Sequence, residues 1–467
     1  MSVQISSAWF LLRRGAMNAN VLRNVLETAL PADKVVSLAR ALKVVERQSL
    51  IAIDQLVNSL VLVARTPSGG RQADVLRAYM EATGDKPVRG AFYDRFNDEL
   101  EQLMTRLLDD SLTAIRTEPV LLPPCIDGVK DWLAIDSETV KLHPSLKDKF
   151  PGTGDYAAVK IHKTYSLGRH NIVDYHFSPA KEHDSCHLTV DDSLKDYGLL
   201  FDLAYPSHKR LRTCIEKNVR FVCKLKRHWK TAIENVNEGN IKELMAGADF
   251  ADAISVGQLS CQNGVIDVQA RLSLNQKPYS LRVVAVEVPD HGLCVFLTNL
   301  PRERYPANVV GDLYRLRWEI EKSNKVEKSD LCLDKLDCRK VCSARTMLMA
   351  SLLGACIVGR LVHADHQALA QDMATHGCIK RGPVHARLVA MFLTSMTTSI
   401  SARLRNEPHA RDWATLADLA AHASRDPNWR RRPSVLDTLL GFVAEPGRPR
   451  CQKSIRKCQD SITGVSN

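Results

Sequence analysis

The chain has 467 residues, 45% hydrophobic and 25% charged, and its 64 Lys plus Arg exceed its 53 Asp plus Glu to give a formal net charge of +11. This composition excludes a wholly disordered chain and leaves room for about three domains of ordinary size. The positive excess points to an anionic partner, nucleic acid ahead of a membrane surface.

Nothing in the sequence reads as a membrane span or an export signal. The most apolar run, 346–359, is interrupted by Arg360 and is shorter than the ~20 residues a spanning helix needs. The apolar patch 8–12 is followed, not preceded, by Arg13 and Arg14, the reverse of a signal peptide. Thirteen cysteines, an odd number without a framework, fit reduced thiols. The expected compartment is bacterial cytoplasm, at the nucleoid.

In chain order, residues 1–118 carry 3.6-type apolar spacing at 21–30, at 35–63 with Pro31 just before it, and at 92–113. Residues 66–71, with Pro67, Gly69 and Gly70, read as a loop. This block predicts an all-α segment. After Pro123 and Pro124 the period changes, and 132–136, 157–165, 171–176 and 199–203 read as short strands. A helix over 207–217 and a strand over 219–225 follow, then strands at 265–272, 281–288 and 293–298, closed by Pro301 and Pro306. One long helix is expected over 307–330. From about 343 the pattern is helical again, ending in a Pro/Arg-rich tail at 446–457. The order predicts an α/β or α+β middle between helical flanks. Gly69-Gly70 and Gly152–Gly154 lack the strand-turn-helix context of a phosphate loop.

The chemistry concentrates in the 307–330 pattern. Tyr314, Arg317, Glu321 and Lys328 stand at offsets 0, 3, 7 and 14. On one unbroken helix, at about 100° per residue, they fall within roughly 60° of one another over about 21 Å, while Glu319 and Glu327 point elsewhere. A carboxylate among a phenol, a guanidinium and an ammonium can hold a metal beside phosphate contacts. A solvated helix face with chance ion pairs has the same spacing. Upstream, Asp136 closes the apolar run 132–135 and Asp202 closes 198–201. A carboxylate ending a buried strand is costly unless it meets a cation. Two such strands side by side, with Glu321 packed against them, make an oxygen cage for hard divalent ions such as Mg²⁺. A turn or cap residue is the other reading of each Asp. Asp127, Asp131, Asp184, Asp191 and Asp192 compete for the role, but none closes so apolar a run.

These residues resemble a known family. Tyr314, Arg317, Glu321 and Lys328 reproduce the Y-(2)-R-(3)-E-(6)-K signature of the insertion-sequence-four family of DDE transposases. Asp202-Leu203-Ala204-Tyr205 resembles its second-Asp motif and Ile135-Asp136-Ser137 its first, with Ser137-Glu138 departing from the small residue and Thr of many members. The likeness covers roughly 133–328. It implies an α/β fold: an RNase H-like catalytic core over 119–342, interrupted by a β-strand-rich insertion at about 219–300. Around it are an all-α DNA-binding domain over 1–118 and an all-α C-terminal domain over 343–467 used for dimerisation. It further implies Asp136, Asp202 and Glu321 as catalytic residues holding two Mg²⁺ ions, for which Mn²⁺ can substitute. Water would free the 3′-hydroxyl at an insertion-sequence end, and that hydroxyl would attack target DNA. Tyr314, Arg317 and Lys328 would grip phosphate near the cleaved end. The implied partners are double-stranded DNA, as terminal inverted repeats and as target, and a second copy in a synaptic homodimer. A catalytically silent DNA-end binder and a nuclease of the same fold without strand transfer are the alternatives.

Residues 206–230 carry nine Lys or Arg against one acid, Glu216. Directly after Asp202 this reads as a surface that tracks DNA backbone, with Lys209, Arg210 and Arg212 as phosphate contacts, or else as a solubilising face. Trp229 is a candidate for stacking on a flipped base, as in relatives that pass through a DNA hairpin, or for a place in the core. Arg430, Arg431 and Arg432 beside Trp429 form a second basic cluster. His183, Cys186 and His187, and Cys332, Cys338 and Cys342, raise a zinc reading that no C-x-x-C pair supports.

Overall fold

The computed structural model describes residues 17–45, 51–62, 72–288, 292–331, 333 and 336–443. The 66–71 loop, Cys332 and the 446–457 tail lie outside the described residues.

The N-terminal periodicity becomes α1 (Ala19–Ala29), α2 (Ala32–Ala41), α3 (Ile53–Val61), α4 (Gln72–Thr83), α5 (Arg89–Tyr93) and α6 (Asp98–Thr117). Asn18 and Asn97 cap α1 and α6 by accepting from the Val21 and Leu100 amides, the role Asn favours at a helix start. The 35–63 pattern is not one helix. After α2 the chain turns through Lys43 at φ 61, and the Val44 amide closes back on the Ala39 carbonyl at 2.9 Å.

Strands β1 (Trp132–Lys141), β2 (Ala158–Ser166), β3 (Asn171–Pro179) and β4 (Gly198–Phe201) lead through α7 (His208–Glu216) to β5 (Arg220–Lys224). They lie in the order β3-β2-β1-β4-β5, with β1 antiparallel to β2 and parallel to β4, and β4 parallel to β5. Downstream come β6 (Ala232–Glu238), β7 (Asn240–Ile241), α8 (Phe250–Ser255), β8 (Leu259–Ser260), β9 (Val265–Leu274), β10 (Lys277–Val288) and β11 (Gly292–Thr298). β7 and β8 pair with each other, while β11, β10, β9 and β6 extend the first sheet in that order to nine strands, antiparallel throughout. β5, at the start of the stretch 219–300 expected as an insertion, pairs in parallel with β4 and so continues the first set of strands. β6 escapes the sequence reading because its pairing with β9 shifts register twice and its burial does not alternate.

The 307–330 pattern divides into α9 (Ala307–Arg315) and α10 (Trp318–Asp330). At the joint the Arg317 amide bonds the Tyr314 carbonyl at 3.1 Å and the Glu319 amide bonds the Leu316 carbonyl at 3.0 Å. Such i→i+3 bonds tighten the turn, so the angular arithmetic of a single helix does not carry across Arg317. The C-terminal helices are α11 (Val341–His376), α12 (Ala386–Ser395), α13 (Thr397–Leu404), α14 (Trp413–Ala423) and α15 (Val435–Leu439). α11 has the length and apolarity to cross a membrane, but 83% of its most apolar stretch is buried inside the fold. Leu56 and Leu107 from the N-terminal helices share one continuous core with Leu353 and Ile357 of α11 and with Trp132 and Val159 of the sheet. A second core, including Leu199, Phe221, Val268 and Val283, lies among β4, β5, β9 and β10. The divisions at 118 and 342 thus mark chain order rather than separate packing units.

α10 is docked on β1 and β2 by buried ionic groups. Lys163 of β2 is 1% exposed at its side chain and donates to Glu138 at 2.6 Å, Glu327 at 2.7 Å and Asn324 Oδ1 at 2.9 Å. Glu138 also meets Lys328 Nζ at 3.3 Å, so two cations face two carboxylates. Removing one partner of such a cluster leaves an uncompensated buried charge. Lys163→Met is expected to lower the unfolding free energy by about 3–5 kcal/mol in urea titration. A loss below about 1 kcal/mol, the size of an exposed pair, would contradict this docking.

Candidate active site

The parallel pairing of β1 and β4 ends at Ile135 opposite Phe201. Asp136 and Asp202 are the next residues of the two chains, so the sheet itself brings them side by side. β1 continues past Asp136 to Lys141 along β2, which makes Asp136 an internal strand residue rather than a strand end. Its carboxylate accepts from Asn324 Nδ2 of α10 at 3.0 Å. One turn earlier on α10, Glu321 is held by Arg317 at 2.6 Å. Burial pushes the Asp136 carboxyl up to about 6, the Ser137 amide and the Arg317 guanidinium pull it down, and the negative charges of Asp202 and Glu321 raise it further. Asp136 therefore feels the charge of both other acids. Beside them is an open cleft of about 340 Å³ lined by Asp136, Glu138, Glu321, Asn324, Lys325 and Lys328.

The competing aspartates are committed elsewhere. Asp127 pairs with Arg304. Asp131 accepts from Ser166 and the Gly168 amide and pairs with Arg169 at 2.8 Å. Asp184 binds Ser137 Oγ at 2.7 Å and Lys160 at 2.8 Å. Asp191 accepts from the Ser193 amide, and Asp192 pairs with Lys217. Glu327 is turned into the sheet onto Lys163.

Several expected contacts are placed differently. Tyr314 is 4% exposed, packs on Phe296 with ring centroids 4.8 Å apart, and lies under Arg317 and Lys224. In this arrangement it supports those cations and does not present its hydroxyl to solvent. Lys328 is half-exposed at the cleft and paired with Glu138. Lys209 is exposed. Arg210 is not a free phosphate contact, because its guanidinium donates to the carbonyls of Tyr205, Ser185 and Leu188 and ties the 180s segment to α7. Arg212 pairs with Glu216 at 2.7 Å. Trp229 is a core residue, 6% exposed against His208. The exposed aromatic near the acids is Trp318, 58% exposed and next to Arg317. Asn324 is also missing from the sequence reading, although its position three residues after Glu321 marks the same helix face. Of the two proposed zinc groups, only His187 lies in a cluster of three potential ligands among the described residues, and its partners there are His162 and His176.

A donor set of carboxylate oxygens, partly desolvated and mutually repelling, suits a hard divalent cation and no soft one. Burial, with a smaller push from Asp202 and Glu321, lifts Asp136, and a bound cation offsets that cost.

Residues 127–357 match the family described as Transposase DDE domain. The chain is 34% identical over 134 residues to the putative transposase InsL of insertion sequence element IS186A from Escherichia coli (strain K12), covering 28% of this chain and 35% of that protein. It is 22% identical over 345 residues to the transposase of insertion sequence element IS231F from Bacillus thuringiensis subsp. israelensis, covering 65% of this chain and 71% of that one. Among solved structures, a piggyBac transposase synaptic complex with hairpin DNA aligns at 9% identity and a TM-score of 0.43, over 91% of this chain and 88% of that one. The chain spans about a third of the length of the first of these relatives. The matched domain and these relatives make transposases of insertion sequences the proteins this chain resembles.

Because Asp136 titrates near 6 when folded and at its ordinary 3.8 when unfolded, the folded state binds the extra proton between those values. Stability therefore falls as pH rises through that window. Without divalent ions at pH 7.5, Asp136→Asn is expected to raise the unfolding free energy by about 1–3 kcal/mol. At pH 4 the gain should shrink toward zero. Urea unfolding at the two pH values checks this, and a destabilised variant at pH 7.5 would count against the clustered-charge account.

Proposed function

We propose that this protein is a transposase that cleaves insertion-sequence ends and joins their 3′-hydroxyls to target DNA. The observation that carries the reading is the charge-coupled trio Asp136, Asp202 and Glu321 within a stretch that matches a transposase DDE domain. The order β3-β2-β1-β4-β5 supports taking the first five strands as an RNase H-like core, with β6–β11 as an insertion that prolongs its sheet. Asp136, Asp202 and Glu321 would hold Mg²⁺, or Mn²⁺ in its place. When bound, these ions supply Lewis-acid activation of the attacking oxygen and charge stabilisation of the leaving one.

The protein's own groups position the DNA. Lys325 and Lys328 on the cleft wall neutralise backbone phosphates that enter it, while Arg317, buried and paired with Glu321, holds that acid in place rather than reaching the DNA. Asn324 holds the Asp136 carboxylate through Nδ2, which fixes the rotamer of the first acid. Lys209 and Lys224 extend the positive surface from the acids along the basic 206–230 stretch. Trp318 supplies the exposed ring on which an unpaired base can stack. The N-terminal helices would read the terminal repeat, and the C-terminal helices would serve a homodimer that holds two ends together.

The test uses DNA carrying the inverted repeats that flank the gene. With Mg²⁺ the protein is expected to nick the 3′ strand at the repeat end and to join a pre-cleaved end to plasmid. Asp136→Ala, Asp202→Ala and Glu321→Ala should each reduce nicking by at least about 10³-fold while repeat binding persists. Binding without nicking by the wild type sinks the catalytic reading, and nicking without joining leaves a nuclease.

A further inference from the structure

A second cluster of metal-ligating side chains lies across the sheet strand from Asp136. His162 of β2 and His176 of β3 are direct cross-strand partners, and His187 ends the short 3₁₀ turn Asp184–His187. One ring nitrogen from each lies within 4.8 Å of the others. His162 stacks on both other rings, with centroids 4.5 Å from His176 and 4.1 Å from His187, and His176 and His187 are tilted to each other at 4.9 Å. All three line a cavity of about 600 Å³ that also reaches Leu133, Ile135 and Tyr205.

Two features mark this as more than a packed cluster. His162 is 4% exposed, and its Nε2 lies 2.9 Å from Ser178 Oγ, yet its Nδ1 is buried with no hydrogen-bond partner. An unpaired polar atom in that setting costs about 1–3 kcal/mol. A nitrogen left open while its ring mate is anchored is also how metal-binding histidines are commonly oriented. On His187, Nε2 lies 2.8 Å from Glu182 Oε2 but is buried without a hydrogen-bond partner, a second imidazole nitrogen of the cluster left open. Burial, then the neighbouring imidazoles, lower the His162 pKa to about 3, and the same two causes lower that of His176. Their lone pairs are thus free at neutral pH.

We propose that His162, His176 and His187 bind one divalent transition ion of the zinc class, at a site separate from the carboxylate centre. Three imidazoles favour Zn²⁺, Co²⁺ or Cu²⁺ over Mg²⁺, and three protein ligands leave a fourth position for water. Capture turns the half-buried rings of His176 and His187 edge-on around the anchored His162. The ion would fasten the 180s segment to β2 and β3. That segment reaches the acids through Asp184, which accepts from the hydroxyl of Ser137, the neighbour of Asp136 and the cross-strand partner of His162. The site does not depend on the DNA reaction proposed above.

The experiment titrates the untagged, metal-stripped full chain with Co²⁺ under excess Mg²⁺, which occupies oxygen-only sites. One Co²⁺ per chain should bind with visible d–d bands of nitrogen and oxygen ligation, without a thiolate charge-transfer band, and Zn²⁺ should displace it. His162→Ala and His187→Ala are each expected to weaken binding about 100-fold, and Ser178→Ala about tenfold. His176→Gln, at a half-buried position, supplies the same readout should the buried variant fail to fold. Absence of Co²⁺ uptake, a thiolate band, or uptake unchanged in His176→Gln and His187→Ala overturns the proposal.

Discussion

The ammonium of Lys163 is the contact on which the candidate active site rests. It sits where β2, β1 and α10 meet and joins Glu138, Glu327 and Asn324 at 2.6, 2.7 and 2.9 Å. Burial alone would push the Lys163 pKa down and that of Glu327 up, and each opposes the shift in the other by facing it with an opposite charge. A buried ion group of this kind is weak as net stabilisation but strict about geometry, because every partner must be present. Here that strictness orients a helix. Asn324 accepts from Lys163 through Oδ1 and donates to Asp136 through Nδ2, so the cluster that docks α10 also holds the first acid of the site.

Asp136 is destabilising where it stands, because its carboxyl is buried beside two other acids. Asp136 and Asp202 meet because two apolar parallel strands stop pairing at the same level, and Glu321 arrives because α10 is pinned one turn and a half farther on by Lys163. Arg317 offsets part of the resulting repulsion by holding Glu321. The raised Asp136 carboxyl reflects its burial first, and the charges of Asp202 and Glu321 only after that. Local instability that a bound ligand relieves is a common signature of functional sites. The basic residues of 206–230 do not quench it. Arg210 is spent on backbone carbonyls and Arg212 on Glu216, while Lys209 stays exposed.

Much of this was legible in the residues. The apolar runs before Asp136 and Asp202 mark strands, and angles along a helix separate Glu321 from Glu327, which holds because both lie on α10. The joint between α9 and α10 was not legible. No Pro or Gly stands there, and packing of Tyr314 on Phe296 accompanies the tightened turn. Spacing alone therefore places Tyr314 on the helix surface, whereas the fold buries it. Neighbouring cations such as Lys209 and Arg210 look alike in sequence and differ only in what the fold sets opposite them. Trp229 and Trp318 exchange roles for the same reason, one covered by the second core and one left in solvent. The histidine cluster is assembled by strand pairing, so the spacing of His183, Cys186 and His187 could not disclose it.

Docking of α10 would make Asp136, Asp202 and Glu321 one divalent-cation site. Anomalous diffraction from crystals grown without divalent ions and soaked in Mn²⁺ tests it most directly. Difference density is expected within bonding distance of Asp136 and at least one of Asp202 and Glu321, reduced in Lys163→Met crystals where α10 loses its anchor. Manganese bound elsewhere, with no density among these three carboxylates, would contradict it.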